Sequence, residues 1–353
     1  MIAKLTADQV NILNIFLMLA SAGLAYLYPF ELFLLVYAVL GPLHYLTEIS
    51  WLHDKNYYTQ RKYDYAYLGL ASLAITGLSL GYLQGFPGMA GAYLVYAAFV
   101  GGLVFLLVRD LFKRLIVLLT AGLVGLVLMK VSFIGLLLTV FFPTLIHVFV
   151  FTGLFILAGA LKTRSGSGFI SLMVFVGTAC LFIFFHPNHT HYHASEYVRN
   201  SYGFFKEDGV GNNVFIALNY LILKTFGLHD FGPPVQPLAV YVDGINQFLY
   251  ENPVALSLMS FISFAYTYHY LNWFSKTSII RWHEVPRVRM GAVVLIWLGS
   301  ILLYVWDYSI GFRWLFFLSF AHVLLEFPLN HLTMINVGKD LRNLMAGKQR
   351  AAG

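Results

Sequence analysis

Residues 169–186 read FISLMVFVGTACLFIFFH, a stretch without a single Asp, Glu, Lys or Arg. A helix that crosses a hydrocarbon core of about 30 Å needs roughly 20 such residues. The run is continuous rather than alternating, so it reads as a membrane-spanning helix and not as a barrel strand. Applied outward along the chain, the same ruler finds ten runs: 10–28, 31–52, 65–84, 89–108, 115–132, 133–160, 169–186, 253–274, 289–306 and 310–333. Composition agrees. Of 353 residues, 59% are hydrophobic and only 11% charged, and the mean hydropathy is +0.74. A soluble domain carries about 25% charged residues, so soluble, disordered and collagen-like classes are excluded. Cys180 is the lone cysteine, which excludes an intramolecular disulfide and a thiolate metal cluster. The expected fold is an all-α polytopic bundle of about ten spans. The first run is read as a retained span rather than a cleaved signal, since no basic segment and small-residue cleavage site accompany it.

Charge tests the count independently. With the N-terminus in the cytoplasm, ten spans put 17 of the 22 Lys and Arg residues on the cytoplasmic side, as the positive-inside rule asks. Lys130, Arg199, Lys206, Lys224 and Arg313 fall outside. The acids divide the other way: Glu31, Glu196, Glu207, Asp208, Asp230, Asp243, Glu251 and Asp307 lie outside. The expected topology is N-in and C-in, and the formal charge of +6 is a topology signal that says nothing of nucleic acid. The chain reads as a single integral membrane domain, 1–353. Residues 1–186 hold seven spans, 187–252 form an extracytoplasmic loop, and 253–353 hold three spans and a cytoplasmic tail. Within the loop, NVFIALNYLILKTFGL (213–228) is too short and too punctuated to span, so it reads as an amphipathic segment or a lid over the bundle. GPPVQP (232–237) supplies a rigid turn.

Twelve histidines stand out in so apolar a chain. Two spans carry the pattern H-x3-E-x4-H: His44, Glu48 and His53 in the second, and His322, Glu326 and His331 in the tenth. On a helix, residues i and i+4 share a face about 6 Å apart, so each His–Glu pair can reach one ion, or the acid can orient the imidazole. His147 and His269 lie in the sixth and eighth spans. All four spans run from outside to inside, and His44, His147, His269 and His322 each fall 12–16 residues from the outer end, about 18–24 Å down. Four imidazoles at one depth, with Glu48 and Glu326 a turn deeper, predict a shared intramembrane site. Nitrogen and carboxylate donors without thiolate suit Fe, Mn, Zn or Cu; iron leads, mono- or dinuclear. Pro42, Pro143 and Pro328 fall near these residues and can open the helices around them.

Other residues are assigned around that centre. Tyr45, Tyr266, Tyr268 and Tyr270 lie beside the histidines; Tyr268 joins Glu48 and Glu326 as a candidate for a catalytic role, against plain core packing. His53, His331 and the loop residue His283 are outer-shell or membrane-edge candidates. His189, His191 and His193, beside His186 at the outer end of the seventh span, form a candidate for a separate metal site, or a polar cap.

The histidine and acid patches resemble the Brp/Blh membrane carotene dioxygenases, which cleave β-carotene to retinal. That family has an early His with an acid four residues on (here His44 and Glu48), a mid-chain His (His147), a His near an aromatic run (His269) and a late His near an acid (His322 and Glu326). The resemblance implies a non-haem iron held by histidines and a polyene substrate. It is confined to these short patches. Glu stands where the family has Asp, the paired histidines of its third motif are not reproduced, and the outer loop is long. The resulting expectation is a metal-dependent membrane oxidoreductase, of the non-haem iron oxygenase, hydroxylase or desaturase type. Its substrate would be a lipid, isoprenoid or carotenoid that enters from the bilayer, with a cytoplasmic electron donor and no nucleic-acid partner. A bacterial inner membrane or its equivalent fits the charge pattern. The alternatives are a proton- or metal-coupled transporter using the same residues, and a bis-His haem protein.

Overall fold

The structure, a computed structural model, describes residues 5–202, 214–232 and 237–346. Among these residues there are thirteen helices and no strand. In chain order they are α1 (Ala7–Leu27), α2 (Pro29–Asp54), α3 (Tyr65–Ser79), α4 (Ala90–Leu107), α5 (Leu111–Leu128), α6 (Ser132–Thr163), α7 (Gly166–Phe185), α8 (Glu196–Tyr202), α9 (Val214–Thr225), α10 (Leu238–Glu251), α11 (Pro253–Ser275), α12 (Arg287–Trp306) and α13 (Tyr308–Met345). Eight of them, α1, α2, α4 to α7, α12 and α13, are long and apolar enough to cross a membrane. The ten expected runs each fall on a helix. Two need comment: α3 is only 15 residues long, and α11, though 23 residues long, is apolar enough to cross only when taken together with α10, as a bent pair. The bend, 67°, sits at Asn252, whose side chain accepts from the Val254 N–H while Pro253 opens α11. An Asn cap followed by Pro at the first helical position starts a helix afresh.

The bundle is built around α11. Every residue from Ala255 to Tyr270 is buried, with α1 and α2 as its main neighbours and α13 packed on α2, α3, α4 and α12. The periphery is greasy instead: Leu115, Leu119, Leu123 and Leu126 of α5 and Leu295, Leu302 and Val305 of α12 are all exposed. An apolar rim around a core that contains Ser, Thr, Asn and His is what a lipid solvent selects, since exposed apolar surface there costs nothing. Backbones approach closely at Gly102, where an added Cβ would meet the Phe327 side chain at 2.9 Å and the Pro328 nitrogen at 3.3 Å.

Ion pairs tie helix ends and loops together: Arg114 with Asp64 (2.6 Å), Arg289 with Asp54 (2.7 Å), Arg281 with Glu284 and Arg199 with Glu251 (3.5 Å each). Arg114 is the tightest of these: buried, bidentate on Asp64 and seated over the Phe105 ring. Lys4, Lys206, Glu207, Asp208, Lys348 and Arg350, which also entered the charge argument, lie outside the described residues.

The described parts of the 187–252 connection pack onto the bundle. Val198 and Tyr202 of α8 and Phe215, Ile216 and Leu223 of α9 are buried, and Phe30 and Phe33 of α2 meet the Tyr202 ring edge-on. The amphipathic segment therefore packs as a lid. Its companion α10 is a helix that the sequence reading did not single out. Of the expected turn at 232–237, Gly232 has φ of +66°, and residues 233–236 lie outside the described residues. Two further departures matter. Residues Leu137–Phe151 within α6 form a π-helical stretch around Pro143, a rare widening that recurs at functional sites. And α13 continues through Met345, well past its apolar run, because no further proline follows Pro328.

Candidate metal centre

Four helices bring the four intramembrane histidines to one point. α2 supplies His44, the π-helical part of α6 supplies His147, α11 supplies His269 and α13 supplies His322; none is more than 9% exposed. One ring nitrogen from each lies within 4.8 Å of all the others, and among the described residues no other group of three or more His, Cys, Asp or Glu converges in this way. The closest pairs are His44 Nε2 to His269 Nε2 at 3.0 Å and His147 Nε2 to His322 Nε2 at 3.1 Å. Two nitrogens that each sit about 2.1 Å from one ion, at a right angle, are about 3.0 Å apart.

The opposite nitrogens show which way the rings are held. His322 Nδ1–H donates to the Leu318 carbonyl at 3.3 Å, which leaves Nε2 as a lone-pair donor. His269 Nδ1 pairs with the Thr152 hydroxyl at 2.8 Å. His147 Nδ1 lies 3.3 Å from Glu326 Oε2, within ion-pair distance but without hydrogen-bond geometry, and Glu326 Oε2 accepts from the Asn330 amide at 3.1 Å. An imidazole whose far nitrogen donates to a carboxylate, hydroxyl or carbonyl presents its near nitrogen to a metal in a fixed orientation. Glu48 differs from Glu326. Its Oε2 lies 3.1 Å from His44 Nε2, the inward-facing nitrogen, and that buried oxygen finds no hydrogen bond. Two lone-pair atoms face each other there, so the contact calls for a proton or a shared cation.

Charge arithmetic points the same way. Glu48 and Glu326 are 2% and 4% exposed, and the ion-pair partners found for them are His44 and His147. Buried carboxylates must be paired or coordinate a metal. Four neutral imidazoles, two carboxylates and one divalent cation sum to zero, the cheapest total for a low-dielectric interior. The residues present thus fit a metal, with His44, His147, His269 and His322 as donors, Glu48 beside His44, and Glu326 and Thr152 behind His147 and His269.

The remaining candidates are placed elsewhere. Tyr268, one position before His269, is turned about 100° round the helix and donates to Asn14 of α1 at 3.0 Å. The tyrosines that do touch the centre are Tyr45, stacked on His322 at 4.1 Å, and Tyr270, 5.2 Å from His44; their hydroxyls bond at 2.8 Å, and Gly41 leaves the room they occupy. His53 is exposed beside Tyr57 and Tyr65, and His283 is exposed beside Trp282. His331 is buried but faces α4, bonded to the Phe99 carbonyl at 2.8 Å. At the outer end, His189 turns inward to Ser260 at 2.9 Å, while His191 and His193 are exposed. A turn at residues 190–191, closed by the Tyr192 N–H on the His189 carbonyl at 2.9 Å, breaks the alternation that would have put this trio on one face. Burial holds the His189 imidazole below the usual histidine range, as suits a neutral polar cap. Thr152, Asn330 and Trp273 were not legible as site residues; Thr152 meets His269 only across a helix–helix contact that the primary structure does not display.

No family model, curated protein or solved structure matches this chain. The reading of its function therefore rests on the centre itself.

Proposed function

We propose that the chain is a metal-dependent membrane oxidoreductase of the non-haem iron type, acting on a lipid or isoprenoid, with carotenoids as the substrate class that the Brp/Blh resemblance implies. The observation that carries this reading is the convergence of four buried imidazoles, one nitrogen of each within 4.8 Å of all the others. Iron held by such donors supplies one-electron redox chemistry toward dioxygen. The chain's own contribution is positional. Glu48 offers the anionic donor, Glu326 and Thr152 fix the rings of His147 and His269, and the Leu318 carbonyl fixes His322. The surrounding apolar helices exclude water, and a hydrophobic substrate approaches through them from the bilayer. Four imidazole donors, with Glu48 alongside His44, leave an octahedral ion such as iron room for a further partner, which favours catalysis over a purely structural ion.

The test is metal analysis of purified protein and of His44→Ala and His322→Ala. Stoichiometric iron in the parent, lost in both variants, supports the enzyme. A parent without bound transition metal that sustains proton-coupled flux in vesicles would sink it in favour of a transporter.

A further inference from the structure

Trp273, one turn after His269 on α11, packs edge-on against His44, with ring centroids 5.5 Å apart. Its indole N–H donates to the Thr47 hydroxyl at 3.0 Å. Trp51, in the last turns of α2, meets Trp273 edge-on at 5.7 Å, and Tyr58 of the following loop lies 5.9 Å from Trp51. Trp51, Tyr58 and Trp273 are all half-buried. The rings thus form a continuous line from a ligand of the centre to the end of α2 where exposed Lys55, Arg61 and Lys62 gather. Of the other four tryptophans, Trp306 and Trp314 point outward, exposed on the periphery, while Trp297 bonds the Val39 carbonyl and Trp282 the Thr277 hydroxyl.

We propose that Trp273 and Trp51 drain oxidising equivalents from the metal centre to the membrane face when dioxygen chemistry starts without substrate. The inference rests on the redox reading given above. Indole yields one electron more readily than imidazole and need not lose its proton, so Trp273 can stay bonded to Thr47 throughout. Trp273 gives one electron to the oxidised centre and becomes a radical cation; Trp51 then gives one electron to Trp273. A small one-electron reductant of the ascorbate or thiol class restores Trp51 at the rim. The centre is reduced by one electron, the external reductant is oxidised by one, and no atom changes place. The competing direction, through Tyr45 and Tyr270, is less suited. A phenol must surrender its proton on oxidation, and the Tyr45 hydroxyl is bonded to another phenol. Trp273 and Trp51 are accordingly protective residues and not catalytic ones.

The experiment uses iron-loaded full-length protein in lipid nanodiscs, exposed to oxygen without substrate, then analysed by paramagnetic resonance and peptide mass spectrometry. The parent should show an indole radical, with oxidation concentrated on Trp51 and Trp273 and suppressed by ascorbate. Trp273→Phe should abolish the radical, move oxidation to His44 and Tyr45, and speed the loss of bound iron by an order of magnitude. Trp51→Phe should confine damage to Trp273, and Trp297→Phe should match the parent. Iron content measured beforehand verifies that the variants fold. The same damage pattern and the same rate of iron loss in Trp273→Phe as in the parent overturn the relay alone. A parent that takes up no iron overturns both the relay and the reading it rests on.

Discussion

In α2 the imidazole and carboxylate of one motif meet each other, His44 Nε2 lying 3.1 Å from Glu48 Oε2. In α13 the same spelling gives another arrangement. His322 turns its far nitrogen to the Leu318 carbonyl of its own helix, and Glu326 reaches across to His147 of α6. The third member differs as well: His53 is exposed at the end of α2, whereas His331 is buried against α4. Spacing of i and i+4 places two side chains on one face; it does not say whether they face each other or a third helix. The neighbours decide. α2 ends just after its motif, at Asp54, whereas α13 runs on through Met345 with α4 and α6 alongside.

The largest effect expected is shared by both copies. His44→Ala and His322→Ala should each abolish stoichiometric metal, since each removes one of four converging donors; plasma emission analysis of purified protein reads this directly. Metal retained in one of the two would mean that the copies do not serve one centre. The carboxylates should then separate. Glu326→Gln touches a group behind His147 and should weaken metal affinity by about 10–100-fold. Glu48→Gln removes an inward-facing anionic donor and should cost more than that. Equal losses, measured by competition with a chelator, would erase the distinction between donor and orienting group.

Backbone proximity offers a third contrast. Near the second copy, a Cβ at Gly102 meets Phe327 at 2.9 Å and Pro328 backbone at 3.3 Å, so Gly102→Ala should destabilise by about 1–3 kcal/mol through overpacking. Near the first copy, a Cβ at Gly41 meets the Tyr45 hydroxyl at 3.2 Å and the Tyr45 Cζ and Tyr270 hydroxyl at 3.4 Å. Gly41→Ala should therefore cost less, since these contacts are longer and Ala favours a helix by about 0.5–1 kcal/mol. Thermal unfolding in one detergent compares the two.

How much of this could be read beforehand follows from the physics of each signal. Helices and their approximate ends are legible because a bilayer demands long, uninterrupted apolar runs; residues 253–274 and 310–333 announced α11 and α13. The quartet was legible because ionisable residues are costly in lipid, so His44, His147, His269 and His322 stood out singly and at one depth. What stayed hidden depends on rotation and on neighbours. Tyr268 and Tyr270 flank His269 in the chain, yet only Tyr270 faces His44. The π-helical stretch around Pro143 has no signature in composition. The trio at 189–193 looked like a chelate because alternate residues of an extended strand share a face, but a turn at 190–191 takes His189 inward to Ser260 and leaves His191 and His193 exposed.

The third histidines give the smallest contrast and the strictest one, because neither touches the centre. His331→Phe keeps a ring against Phe99, whose ring lies 4.2 Å away, and removes only the hydrogen bond to the Phe99 carbonyl. That should lower stability by about 0.5–1.5 kcal/mol and leave metal content unchanged. His53→Phe alters an exposed residue at the end of α2 and should stay within about 0.5 kcal/mol of the parent. Thermal unfolding and metal analysis on the same samples decide it. If His331→Phe lost metal while keeping its unfolding temperature, the nine-residue spacing would carry a ligand role after all, and the second copy of the motif would reach the centre by a route other than His322 and Glu326.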